Sequence, residues 1–496
     1  MSEPLFIGVD VGTQSAKAAL FDLNGTCLAD DSVPLPLYRR AADQVEQEPE
    51  EFYRATTGAV ASCVARSGHV ADIAGVAIAG QMAGILGIDG DGRALTPYDS
   101  WLDSRCRPEL QAIAARLGDR FVELTGSPPM VSHAPKISWW RHHRPELYRL
   151  VAKFVVPSAF VAGRLCDLGA GEAYIDATHL HFSGLADAAR ATWSPELAAG
   201  ADLELGKVPR IVAPIEIVGR LSAAGARDCG LLAGTPVAAG LGDTAAGVLG
   251  AGVVQPGQLL DTAGTASVLG VSTTELRPDL SQTLVQMRGA VPGQWFALSY
   301  LAGGDLLRWL PQALGGASLD VLVDEASACA AGRLLFVPHL GGRILPSAPT
   351  ARGAWVGLDF SQTRGDLVRS VLESVAFEYA GFLQRATELF PDVPPLEVRV
   401  IGGGAGNAMW NLVKASVLGL PYVALRRQSF SCWGAALVAA RAVGAVGDLA
   451  AAALASNDEA GRTYPDASLQ AVYRERLQEY RSVEDLLVRR TEEVHI

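Results

Sequence analysis

Basic residues are in short supply in this 496-residue sequence, and those present are scattered. Lys and Arg number 41 against 53 Asp and Glu, for a formal charge of -12 and a pI near 5.2. Without a Lys/Arg run to form a patch, such a surface repels a phosphate backbone, which excludes nucleic acid as a partner. Cysteine is also sparse. Cys27, Cys63, Cys106, Cys166, Cys229, Cys329 and Cys432 are an odd set with no C-x-x-C pair. That spacing argues against a disulfide framework, a zinc site or a dithiol redox motif, and fits a reducing cytoplasm. No long apolar run is present. The richest stretch, residues 434–455, is broken by Arg441 and Asp448, so no membrane partner is expected. The opening MSEPLFIGVD places an acidic residue where a signal peptide would be basic, and a cytoplasmic location follows. Charged residues make up only 19% while 49% are hydrophobic, which excludes wholesale disorder. The length calls for two or more hydrophobic cores.

What is present has the periodicity of an α/β chain. Residues 5–37 read as three strands: LFIGVDV, a turn at Gly12-Thr13-Gln14-Ser15, KAALFD, and a hairpin signal at Asn24-Gly25. A helix is expected from Pro49, whose fixed φ suits the first helical position, to about Gly68. The run IAGVAIAG, residues 73–80, has the character of a strand buried on both faces. Strands then alternate with helices. The second half repeats the opening theme: Leu260-Asp261-Thr262-Ala263-Gly264-Thr265 followed by ASVLGVS matches Gly8-Val9-Asp10-Val11-Gly12-Thr13 followed by KAALFD. The repeat suggests two related domains facing one another, 1–247 and 248–496. Further on, a helix is expected over 364–390, a strand over 398–404 (VRVIGGG), a helix over 405–418 and an amphipathic, charge-laced helix over 469–490.

The chemistry-bearing residues lie at strand ends. The turn Thr13-Gln14-Ser15 with Lys17, the turn Gly264-Thr265, and Gly402-Gly403-Gly404 each follow a strand directly. There, bare backbone N–H groups and hydroxyls can cradle phosphate oxygens. Any one of them alone is weak, since most glycine turns only reverse the chain. Asp10 ends an apolar strand beside the first turn, where a metal–phosphate complex needs an oxygen ligand. Asp243 sits among small residues in GLGDTAAGVLG, so a substrate hydroxyl can approach it closely. The blander reading is that Asp243 caps the following helix, a place that also keeps a carboxylate ionised. Other candidates read as structural. Trp139-Trp140, with Lys136 and His142-His143 nearby, has the spacing of core packing. His179 and His181 share one face of a presumed strand, yet no carboxylate or cysteine completes a zinc site. The acidic stretch 43–51 reads as a solvated loop and helix start.

In these residues the chain resembles the FGGY carbohydrate kinases, of the actin-like, ribonuclease H-like superfamily, over nearly its whole length. GVDVGTQSAKAALFD is similar to the family's first phosphate loop, SWLDSR (100–105) to its sugar-site segment and GLGDTAAGVLGAG to its catalytic Asp motif. DTAGTASVLG resembles the second phosphate loop, and IGGGAGNAMWNLVKASVLGLP the adenosine-site strand and helix. The most specific match is GAWVGLDFSQTRGDLVRSVLE, residues 353–373, to the C-terminal signature.

The resemblance implies two actin-like α/β domains flanking a nucleotide cleft, with ATP and magnesium as cofactors and a small sugar as partner. It leaves a homodimer open. Asp243 would be the general base and Asp10 would help hold magnesium. Thr13, Gln14, Ser15, Lys17, Gly264 and Thr265 would surround the phosphates, while Gly304, Arg308, Gly403, Gly404 and Asn407 would face the nucleoside. Gln81, Met82, Trp101, Asp103 and Arg105 would line the sugar site. Gly80-Gln81-Met82-Ala83-Gly84 is closest to xylulokinase-like members, with Ala83 where those usually carry His. The Arg-Glu pair of glycerol kinases is missing. FVPHLGGRILP lacks the family's Gly-Glu-Arg, which leaves a binding role for Arg343 open. The expected activity is phosphorylation of a ketopentose, D-xylulose first, with another ketose or a polyol as alternative. The rivals from other classes are a non-catalytic sugar-binding regulator and an actin-like ATPase switch.

Overall fold

The local signals translate directly into elements in the computed structural model, which describes residues 3–263, 267–301 and 303–494; the side chains of 303–305 and 491–494 are not described. Helix Pro49–Ser67 begins on its proline and ends at Gly68, whose φ of 72° is the left-handed conformation a glycine C-cap supplies. Helix Arg364–Leu389 is entered through a capping box between Thr363 and Asp366. The expected helices over 405–418 and 469–490 are Ala408–Leu418 and Ala467–Val494.

Two sheets carry the molecule. The first orders its strands Ile217–Arg220, Pro236–Gly242, Ile73–Gly80, Leu5–Val11, Ser15–Phe21, Cys27–Pro34. Its three inner strands, Pro236–Gly242, Ile73–Gly80 and Leu5–Val11, run parallel, and Leu5–Val11 continues into an antiparallel meander. The second sheet repeats that plan: Gln258–Ala263, Glu397–Ile401 and Tyr422–Leu425 are parallel, and Gln258–Ala263 pairs antiparallel with Ser267–Thr273. The internal repeat is thus a repeat of topology.

Each third parallel strand leads to a helix, Asp243–Gly250 in the first half and Phe430–Ala442 in the second, and these two helices pack on each other. Helix Phe430–Ala442 also covers the first sheet, packing on Leu5–Val11 and Ile73–Gly80. The approach is close enough to demand glycine. A Cβ on Gly8 would fall 1.7 Å from the Cys432 carbonyl oxygen, and one on Gly434 2.1 Å from that of Ala246. The halves therefore interlock, and the expected cut at residue 248 falls inside helix Asp243–Gly250.

Two expectations change. Within the acidic stretch 43–51, Val45–Gln47 is a buried strand, not a solvated loop, because Glu46 and Gln47 find polar partners inside. His179 and His181 lie in a 3-10 turn, Ala177–Phe182, rather than a strand; Asp176 starts it by accepting the Thr178 N–H at 2.9 Å. Among the described residues no helix is long and apolar enough to cross a membrane.

Candidate functional site

Parallel strands end together, so their C-terminal residues converge on one crevice. Register places Val11 beside Gly80, and Gly80 beside Gly242. Asp10, the Gln81-Met82 pair and Asp243 therefore stand at three adjacent strand ends, with neighbouring strands about 4.8 Å apart. The Gln81 N–H donates to the Val11 carbonyl at 3.1 Å, which ties the middle end to the first.

The two aspartates share one electrostatic environment. Burial, then the nearby Asp243 charge, push Asp10 up to about 7, while Lys17, its cross-strand neighbour, pulls it down. Asp10 Oδ1 is buried with no hydrogen-bond partner. Asp243 is raised by burial and held back by the Thr244 N–H, by His179 and by the Thr244 hydroxyl. Its Oδ1 accepts the Thr244 N–H at 2.6 Å. The N-cap of the following helix is Gly242, so the capping reading of Asp243 does not hold and its carboxylate stays available. A carboxylate with raised proton affinity suits a general base near neutral pH. Tyr98 from the first half and Tyr300 from the second are both raised by burial, then by the Asp243 charge, and the Tyr98 hydroxyl lies 3.5 Å from Gln81 Oε1.

On the acceptor side, Gln81 Nε2 donates to the Gly12 carbonyl at 3.1 Å and to Gln47 Oε1 at 3.0 Å. Gln81 Oε1 accepts from the Thr13 hydroxyl at 3.3 Å, and Thr13 Oγ1 in turn accepts the Trp101 indole N–H at 2.9 Å. Trp101 is 41% exposed. Thr13 thus joins the first glycine turn to Gln81 and Trp101. Met82 is buried against Gly242, and its carbonyl is bound by His133 Nε2 at 2.6 Å.

Asp103 and Arg105 are placed elsewhere. The Arg105 guanidinium lies within 2.7 Å of Glu46, 2.7 Å of Asp99 and 2.9 Å of Asp103, and stacks over Trp139 at 4.6 Å. Asp103 Oδ2 accepts the Val45 N–H at 2.8 Å, and Lys136 Nζ binds the carbonyls of Ser100 and Asp103 at 2.7 and 2.8 Å. These groups satisfy one another and brace the Trp101 segment. Trp140 is buried and donates to Asp99 at 2.6 Å, in keeping with the core reading of the tryptophan pair.

On the nucleotide side, Gly403 has open space where a Cβ would stand, and a Cβ on Gly404 would lie 2.8 Å from Trp410 and 2.9 Å from Ala263. Bare backbone is thus presented at this turn. Asn407 caps helix Ala408–Leu418 by accepting the Trp410 N–H at 2.9 Å. Arg308 is exposed on helix Gly303–Ala313, to which Gly304 also belongs. Gly264 and Thr265 lie outside the described residues.

Sequence reasoning missed Gln47, Tyr98, His133, His179 and Tyr300. His179 stands out in the sequence only as half of a rejected zinc site; the others carry no local signal and reach the crevice through tertiary placement.

The fold and crevice define a class: the chain belongs to the FGGY family of carbohydrate kinases, whose N-terminal domain model matches residues 5–250 and C-terminal domain model residues 260–443. It is a phosphotransferase acting on an alcohol group. Among curated relatives, the xylulose kinase of Bacillus subtilis is 29% identical over 97% of this chain and 95% of its own. That of Escherichia coli is 29% identical over 84% and 85%. The crystal structure of xylulose kinase from Rhodospirillum rubrum superposes with a TM-score of 0.89 at 26% identity, covering 98% of this chain and 100% of that one.

Proposed function

We propose that this protein transfers the γ-phosphoryl group of ATP to a terminal hydroxyl of a ketopentose, converting D-xylulose to D-xylulose 5-phosphate. The observation that carries this reading is the convergence of Asp243, Asp10 and the Gln81-Met82 pair at three adjacent strand ends. Asp243 takes the proton of the sugar hydroxyl. That oxygen bonds to the γ-phosphorus as the bond to the β–γ bridging oxygen breaks, and ADP leaves with the electron pair.

Gln81, Met82 and Trp101 border the sugar, with Asp103 and Arg105 bracing the segment from within. Thr13, Gln14, Ser15 and Lys17, joined by Gly264 and Thr265, take the phosphates. Gly304, Arg308, Gly403, Gly404 and Asn407 take the nucleoside. The first division, 1–247, binds the sugar and shares the phosphates with the second, 248–496, which binds the nucleoside. The orphaned Oδ1 of Asp10, beside a second carboxylate, is a hard oxygen donor set that suits magnesium. When bound, the ion neutralises charge on the phosphates.

D-xylulose is favoured by the Gln81-Met82 segment and by the activity for which the relatives are named. Ala83 favours a second reading, another ketose or a polyol, because it offers no side-chain hydrogen bond where xylulokinase-like members carry His. Coupled ADP release over a panel of ketoses and polyols tests both. D-xylulose giving the highest kcat/KM is the expected result; a different best acceptor, or acceptor-independent turnover, overturns it.

A further inference from the structure

The reaction as derived leaves one buried imidazole beside the base without a task. His179 has 0% side-chain exposure and sits in the 3-10 turn Ala177–Phe182. Its Nδ1 lies 2.5 Å from Asp176 Oδ2. The other oxygen of Asp176 accepts the Thr178 hydroxyl at 2.5 Å and the Thr178 N–H at 2.9 Å. Thr178 Oγ1 in turn accepts the Gly242 N–H at 2.9 Å, so the turn is pinned to the residue before Asp243. In the tautomer that keeps its proton on Nδ1, against the Asp176 carboxylate, the ring presents Nε2 as an acceptor. That Nε2 is buried and has no hydrogen-bond partner. Desolvating a lone pair without a partner is unfavourable, and such groups in native proteins ask for an explanation. Of the neighbouring imidazoles, His133 spends its Nε2 on the Met82 carbonyl, while His181 packs its ring on Phe182 at 4.1 Å between centroids and leaves both ring nitrogens buried without a partner; His179, unlike His181, directly follows the Thr178 that is tied to Gly242.

We infer that His179 is a specificity-determining residue of the acceptor pocket: its Nε2 accepts a hydrogen bond from a sugar hydroxyl adjacent to the one Asp243 deprotonates, and Asp176 orients the ring. This rests on the sugar-kinase reading of the site. It assigns the substrate a polyhydroxy chain with at least one donor hydroxyl next to the reacting carbon, a group that a simple alcohol lacks.

The test separates the two ring nitrogens. His179→Asn retains a donor near the Nδ1 position and deletes Nε2, whereas His179→Gln carries an amide out to the Nε2 position. With the acceptor on which the wild-type enzyme is most active, His179→Asn raises KM for the sugar at least tenfold. KM for ATP stays within twofold and the melting temperature is kept, while His179→Gln restores part of the loss. Deoxy analogues locate the contact. The analogue lacking the bonded hydroxyl is as poor for wild type as the parent sugar is for His179→Asn, and the two losses do not add. A sugar KM within twofold of wild type in His179→Asn, or equal further losses for every deoxy analogue, overturns the assignment. A best acceptor other than a ketopentose overturns the substrate reading alone, and the His179 comparison is then run on that acceptor. A wild-type enzyme that turns over no acceptor overturns both.

Discussion

Asp10 and Asp261 open the two halves in similar surroundings, each on the first parallel strand of its sheet and each just ahead of a Gly-Thr pair. Their fates are opposite. Asp261 is fully buried and fully paired, with Lys414 Nζ at 2.5 Å and the Tyr379 hydroxyl at 2.8 Å. Asp10 has an orphaned oxygen and a proton affinity lifted to about 7. The cause is one residue of register. Asp10 stands two places before its glycine and Asp261 three, and in a strand of period two that offset turns the side chains to opposite faces. One carboxylate meets the crevice, and the other meets the helices Arg364–Leu389 and Ala408–Leu418 behind the second sheet. A repeated motif can therefore conserve topology while assigning the acid a catalytic setting in one copy and a structural one in the other.

The contrast can be tested on each side. Asp243→Asn, on the crevice side, should give the largest effect on turnover, lowering kcat by roughly a thousandfold while sugar binding by calorimetry survives, as expected for loss of a general base. Near-normal turnover in that variant would refute the base assignment. On the far side, Lys414→Met leaves the Asp261 carboxylate buried without its cation and should cost about 3–5 kcal/mol in denaturant melts. The kcat of the folded fraction should remain unchanged. A large loss of kcat without loss of stability would erase the distinction between the two acids.

Asp10→Asn should do the reverse, removing activity without lowering stability. The sign follows from linkage. A folded-state value near 7 against an unfolded 3.8 means that the folded form binds the extra proton in this window. Stability is thus highest below about pH 4 and declines as pH rises toward 7, by an amount on the order of a few kcal/mol for this group. Thermal melts of ligand-free Asp10→Asn between pH 4 and 7 should show a flatter profile than wild type, and an identical slope would show that Asp10 is not the titrating group. The smallest effect is expected from Trp101→Phe, which keeps the ring face but loses the indole bond to Thr13. About 1 kcal/mol is at stake, read as a severalfold rise in sugar KM.

Much of the site was legible because its signals are local. Strand ends and glycine turns occupy contiguous stretches, which is why Asp10, Thr13 and Asp243 could be named from local signals, while Gln81 came only with the family resemblance. Asp103 and Arg105 were legible as a motif but not as a role, since Glu46, 59 residues from Arg105, joins Asp99 and Asp103 around the guanidinium only in three dimensions. Gln47 was hidden in a stretch whose acidic composition reads as solvent-facing, and burial there is licensed by hydrogen bonds to the Thr13 and Pro36 carbonyls. His179 looked like half of a metal site on a strand. The carboxylate that decides its chemistry is Asp176, three residues away, and it acts through a turn rather than a pleat.

Periodicity, turn chemistry and ordered motifs were enough to specify an α/β chain with a duplicated plan and the family to which it belongs, because each depends on neighbours a few residues apart. Folding alone decided which acids are paired and which are poised. The free energy of a carboxylate is governed by the charges, donors and solvent around it, and for Asp10, Asp243 and Asp261 those are brought by Lys17, His179 and Lys414 from other elements of the fold.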